Sequence, residues 1–365
     1  MKPIPGPLSA QQLAIRLLVR AARPRRTDDV REALRKAVSK CAAQDLADTA
    51  KQLEIAPLID AHLANDDTLI RSKLASMLRP ARMTAVASSI ILGDVFQRIL
   101  EAFAEERIPV APLKGMDFAH RLYQAPHART MCDIDIMVPE HDYSRARRVL
   151  AKVAGFEELP FAHGPGEWER TSKDTAFEYK VGRQRIHIEL HRRFGQLHHI
   201  RVDYDALWRR ARRADDQAHY YHLAPEDVLL FSAYHLERSV FPTRLLWLVD
   251  LVGIAEQLEP NWEVVVRRAR EWKCEVGLWH ALSRVKKTLG ARIAHEWVFE
   301  ALAPGRPQEV YLRAIAPMDA LITPLDGLSV RKTQLLFWFP LMDSWSHRAL
   351  FAATYGLMRL RHKLG

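Results

Sequence analysis

The chain has 365 residues, 48% apolar and 27% charged, with a net charge of +10 and a pI near 9.6. That length can bury a large core and divide into two or three lobes, and the composition is that of an ordinary folded chain rather than a disordered one. The three cysteines, Cys41, Cys132 and Cys274, stand far apart with no CxxC pair or Cys/His ligand spacing, so neither a disulfide framework nor a structural zinc is expected.

In chain order, the opening "MKPIPGPLSAQQLAIRLLVRAARPRR" is interrupted by Gln11, Gln12, Arg16 and Arg20. It therefore reads as neither a signal peptide nor an anchor, no later run reaches membrane-spanning length, and a cytoplasmic protein is expected. From about residue 8 to 105 the apolar period is helical. "DDVREALRKAVSKCAAQDLADTAKQL" sets Val30, Ala33, Leu34, Ala37, Val38 and Cys41 on one face, and "TAVASSIILGDVFQRILEAFAEER" does the same with Ile91, Val95, Ile99, Leu100 and Phe103. The period then changes. A short apolar run "IPVAPLKG" leads through a helical "MDFAHRLYQ" and a loop to the strand "CDIDIMV". A helix from about Asp142 to Val153 follows, closed by Gly155. After the loop "AHGPGE", the runs "TAFEYKV" and "RIHIELH" read as a hairpin. Helices return from Ala224 to the end. The sequence thus predicts an α+β fold with a small mixed sheet at residues 106–200, flanked by helical lobes at 1–105 and 201–365. Most of the positive charge falls on amphipathic helices such as "RARRVLAK", where a solvated arginine face is the expectation.

The strand "CDIDIMV" poses the chemical question. Side chains alternate along a strand, so Cys132, Ile134, Ile136 and Val138 share one face while Asp133, Asp135 and Met137 share the other. Two like charges on one face are costly unless a cation sits between them. In "RIHIELH" the pattern repeats, with Ile186, Ile188 and Leu190 on one side and His187, Glu189 and His191 on the other. If the two strands are neighbours, Glu189 joins Asp133 and Asp135, provided that no lysine ammonium fills the place between them. Three such carboxylates can hold two magnesium ions about 4 Å apart, one orienting a triphosphate and one activating a hydroxyl. The two histidines could be ligands, a base or packing groups. Upstream, Gly115 at a strand-to-helix turn would let the backbone approach a phosphate in front of the helix amides.

The order of a glycine turn, a DxD strand and a later lone acid resembles the nucleotidyltransferase fold of the DNA polymerase beta superfamily. More closely, "PLKGMDFAHRLYQAPHARTMCDIDIMV", "RIHIELHRRF" and the downstream "RLLWLVDLVGIAEQ" are similar to an uncharacterised bacterial nucleotidyltransferase family with an "LKG…LY…R…DIDILV…ELH" core and an "LRWLVDI" helix. The resemblance covers roughly residues 85 to 275. It implies metal ligation by Asp133, Asp135 and Glu189, which are also the catalytic set, and phosphate contacts from Lys114 and Gly115. Arg129 would neutralise charge on the triphosphate, while Arg244 and Asp250 fall where the family has its arginine and aspartate. The wider superfamily carries Gly-Gly or Gly-Ser at the turn where this chain has Lys114-Gly115-Met116.

The implied activity is magnesium-dependent, with manganese able to stand in. It transfers a nucleoside monophosphate from a nucleoside triphosphate to an acceptor hydroxyl on an RNA, a protein, a peptide or a small molecule, with no membrane partner. Attack at the γ phosphorus would instead make the same site a phosphotransferase. A degenerate core would leave a nucleotide- or nucleic-acid-binding scaffold.

Overall fold

The computed structural model describes residues 9–159, 174–182, 184–195, 200–215, 220–238, 244–315, 343 and 348–349. The "AHGPGE" loop and most of the helical stretch expected at the end of the sequence lie outside them. Five helices come first: α1 Ala10–Ala21, α2 Asp28–Lys40, α3 Ala43–Gln52, α4 Ala56–Ala64 and α5 Lys73–Glu105. Side-chain caps set the starts of α1, α2 and α5. Ser9 and Gln12 form a capping box, and the hydroxyls of Thr27 and Ser72 accept the third amides of α2 and α5.

The mixed unit follows with β1 Ala111–Leu113, α6 Lys114–Arg121, β2 Asp133–Met137, α7 Tyr143–Lys152, β3 Phe156–Glu158, β4 Asp174–Val181 and β5 Gln184–His191. The chain continues through α8 Tyr204–Arg210, β6 Arg212–Arg213 and β7 Tyr221–His222. It then runs through α9 Pro225–Arg238, α10 Leu245–Gln257, α11 Trp262–Trp272, α12 Glu275–Leu289, α13 Glu296–Leu302 and α14 Arg306–Ile315. The fold is α+β, with the strand order β1-β2-β5-β4-β3. The neighbours β2 and β5 run parallel and the remaining pairs antiparallel. As Pro112 requires, since it has no amide to donate, β1 lies at the edge. The short strand β3 and the β6–β7 pair were not anticipated.

Each face of the sheet has its own apolar partner. Ile134, Ile136 and Val138 pack with Ile186, Ile188 and Leu190 against Val95, Ile99 and Phe103 of α5 and Ala146 and Leu150 of α7. On the opposite side, Leu113, Phe118 and Met137 join a second core that runs continuously through α1–α4 and α9–α12. The alternation read from the two strands is therefore the alternation observed, except at Cys132, which precedes β2, is exposed and lines the same cavity as the acids.

One expectation is corrected. The sequence reading found no run of membrane-spanning length, yet α5 has 33 residues and is long and apolar enough by length and composition to cross a bilayer. The helix passes through Pro80 without ending. Its second half is core, with Leu92, Val95, Phe96, Ile99, Leu100 and Phe103 buried over the sheet.

Candidate active site

The parallel pairing of β2 with β5 builds the floor of the site. Asp133 stands opposite His187, Asp135 opposite Glu189 and Met137 opposite His191. Because both strands turn their aliphatic side chains to the α5 core, their polar side chains share the other face, so residues 54 positions apart in sequence become neighbours. His191 Nε2 lies 3.0 Å from Asp135 Oδ1 and 3.2 Å from Glu189 Oε2. Asp135, Glu189 and His191 each offer one ligand atom, and these atoms lie within 4.8 Å of one another. Asp133, one pleat back, is not in that group. His191, which the sequence left undecided, takes the third place.

Electrostatics separates the two aspartates. Burial raises the Asp133 carboxyl above its ordinary value, the charge of Asp135 raises it further, and Lys114 only partly opposes them. Burial also acts against ionised Asp135, but Lys114 and His191 more than offset it and hold that carboxylate well below the usual range. Asp135, 3% exposed, is the member whose charged form its neighbours favour.

The cation beside it comes from the turn between β1 and α6. The strand ends at Leu113, which pairs with Asp135, and the helix starts at Lys114. Lys114 takes the left-handed conformation at φ +45°. Its Nζ donates to Asp135 Oδ1 at 3.0 Å and lies 5.9 Å from the centre of the Phe231 ring. A lysine ammonium thus does reach the acids, the circumstance set against the metal reading in the sequence. Gly115 has a different reason to be glycine. A Cβ there would stand 3.0 Å from Arg129 Nη1 and 3.1 Å from Met131 Cγ. What presses on this glycine is therefore a guanidinium of the chain itself.

Arg129 and Asp250 are brought together. Arg129 donates from Nε at 2.9 Å and Nη2 at 2.7 Å to the two Asp250 oxygens, and the Tyr123 hydroxyl donates to Oδ1 at 2.7 Å. Burial works against the Arg129 charge, but Asp250 outweighs it and holds the guanidinium more firmly protonated than usual. Arg129 is fixed in a cavity wall by a carboxylate behind that wall. Arg244, half exposed, pairs instead with Glu54 at 3.0 Å. It also reaches Cys132, whose thiol is pushed up by burial and by Asp133 and pulled down by that arginine.

All the expected site residues except Asp250 line one cavity of about 400 Å³. Asp133, Asp135, Glu189 and His191 form one part and Lys114, Arg129 and Arg244 another, while Phe194, Phe231, His235 and Trp247 form an aromatic side. Trp247 lies partly buried in this wall. Trp272 is core, 2% exposed. The donor set fits a divalent cation. Three carboxylates stand against one ammonium, so negative charge is left over, and carboxylate oxygens with an imidazole nitrogen suit a hard or borderline ion.

A family model described as "Uncharacterised nucleotidyltransferase" matches residues 39–290, which takes in every residue named in the cavity. No curated protein matches the chain, and no solved structure does.

Proposed function

Since the chain belongs to this uncharacterised nucleotidyltransferase family and is a nucleotidyltransferase, we propose that it transfers a nucleoside monophosphate from a nucleoside triphosphate to an acceptor hydroxyl, with a divalent cation bound between Asp135 and Glu189 beside His191 and Asp133, one pleat back, as the further carboxylate. The observation that carries this reading is the register that sets Asp135 beside Glu189 on the floor of a cavity whose rim holds Lys114, Arg129 and Arg244. When bound, magnesium or manganese would supply charge neutralisation on the phosphates and a more acidic acceptor hydroxyl. The chain's own residues do the rest. Asp135 stays ionised, His191 orients it with a hydrogen bond, and Arg129, immobilised by Asp250, presents positive charge towards the cavity. Catalysis of this kind is positioning and electrostatics, with no covalent step required of a side chain.

The test is turnover of labelled triphosphates, with magnesium or manganese and a cell extract, by wild type and by Asp133→Ala and Asp135→Ala proteins shown folded by circular dichroism. Wild type should release pyrophosphate and label an acceptor, and the variants should not. Equal turnover by the variants would sink the assignment. A mass increase of the acceptor by a bare phosphate would move the reading to phosphotransfer.

The Lys114–Asp135 contact favours a second reading, a scaffold that binds nucleotide without metal. Calorimetric titration with ATP separates the two, because the enzyme requires the divalent ion for tight binding and the scaffold does not.

A further inference from the structure

Lys114 departs from expectation twice at one position. It is a non-glycine residue at φ +45°, a region that side-chain-bearing residues rarely enter and that clusters at functional sites when the surroundings hold it there. The glycine that could adopt this conformation freely stands next to it, at Gly115. The effect of the turn is to direct the lysine stem from the end of β1, where Leu113 pairs with Asp135, across to that same aspartate.

The other cations of the cavity are held elsewhere. Arg129 is gripped by Asp250 and Arg244 by Glu54. Lys114 alone among these three is hydrogen-bonded to a carboxylate of the cluster, in an ion pair whose lysine is 17% and whose aspartate 3% exposed. An ammonium carries no directional ligand demand and sits on a flexible stem, so it can leave a carboxylate without the backbone moving.

Resting on the metal-dependent reading above, we propose that Lys114 is the resident cation of the metal-free site. Its ammonium holds Asp135 in place through the 3.0 Å ion pair. When a divalent cation takes that carboxylate, Lys114 gives it up and turns into the cavity, where the anionic phosphates of a bound triphosphate supply its new partner. Two consequences follow. Metal binding without nucleotide is weakened by the cost of displacing the ammonium, and nucleotide and metal reinforce each other's binding, since each supplies what the other removes.

Manganese binding without nucleotide, measured by calorimetry and by paramagnetic resonance of the free ion, tests the idea. Glycine at 114 suits the observed backbone, so Lys114→Gly should fold, and Lys114→Met keeps the side-chain bulk in case it does not. Both variants should bind manganese at least about tenfold more tightly than wild type, as expected when a competing ion pair in a partly buried site is deleted. They should also show a larger metal-induced rise in melting temperature, and Asp135→Asn should abolish binding in either background. If Asp135→Asn abolishes wild-type binding but both Lys114 variants bind no better than wild type, the metal site stands and the displacement is wrong. If neither wild type nor the Lys114 variants bind manganese saturably, the metal-dependent reading fails and takes the proposal with it.

Discussion

Asp250→Asn is the most informative perturbation outside the acids, because it changes one charge and almost no volume. Asp250 is 3% and Arg129 6% exposed, and two hydrogen bonds of 2.9 and 2.7 Å join them. At 2.7 Å and an effective dielectric constant of about 20, the attraction is of order 6 kcal/mol before desolvation is subtracted. What the substitution exposes is the uncompensated guanidinium, and removing one member of a buried pair typically costs about 3–5 kcal/mol. The amide can still accept from Arg129 at one oxygen and from Tyr123, which places the expected loss near the lower end of that range. Urea unfolding followed by tryptophan fluorescence and far-ultraviolet circular dichroism measures it, as a lower midpoint at unchanged slope. Arg129→Met combined with Asp250→Leu removes both charges and should recover most of the loss. A loss under about 1 kcal/mol for Asp250→Asn, or a double variant as unstable as the single one, would refute the view that Asp250 anchors Arg129 in the cavity wall.

Gly115→Ala puts a methyl group 3.0 Å from Arg129 Nη1 and 3.1 Å from Met131 Cγ. Because Asp250 restrains that guanidinium, the expected cost is about 1–3 kcal/mol, and a smaller cost of Gly115→Ala in the Asp250→Asn background than in wild type would show the restraint directly. His62 provides a pH test away from the site. Burial pushes its imidazole down from 6.5 to about 4, against the opposing bond from Nε2 to the Arg23 carbonyl, and Nδ1 finds no partner among the described residues. A folded value below the unfolded one means stability is fully present above about 6.5 and is lost as pH falls through 4, by roughly 3 kcal/mol in all. Chemical unfolding at steps between pH 7 and 4 should show that slope in wild type and a smaller one in His62→Leu; identical slopes would remove the assignment.

The paired acids were legible because strand alternation is a local, two-residue rule: Asp133, Asp135 and Glu189 declare their face through the isoleucines on either side of them. His191 was not, since an imidazole on a strand looks the same whether it packs in a core or touches two carboxylates, and only the β2–β5 register tells them apart. Nor could local pattern show that Arg129 meets Asp250, 121 positions away, or that Arg244 reaches Glu54. These are tertiary facts. The strand-to-helix turn, read at Gly115, falls earlier: the strand ends at Leu113 and the helix starts at Lys114, which takes a left-handed conformation that glycine usually fills. The strands β3, β6 and β7 have two or three residues each, too few for any period to be read.

That β2 and β5 lie parallel carries an implication for how the protein can change over time. Parallel strands cannot be closed by a tight hairpin, so the chain between them crosses over through α7, β3 and β4, the last of which pairs with β5 along its whole length. The strands themselves have no freedom of register. Loss of a single residue from the first half of β5 would exchange its two sides, sending Glu189 into the isoleucine layer under α5 and an aliphatic group into the cavity. The five paired positions from Asp133 to Met137 therefore set a fixed gauge.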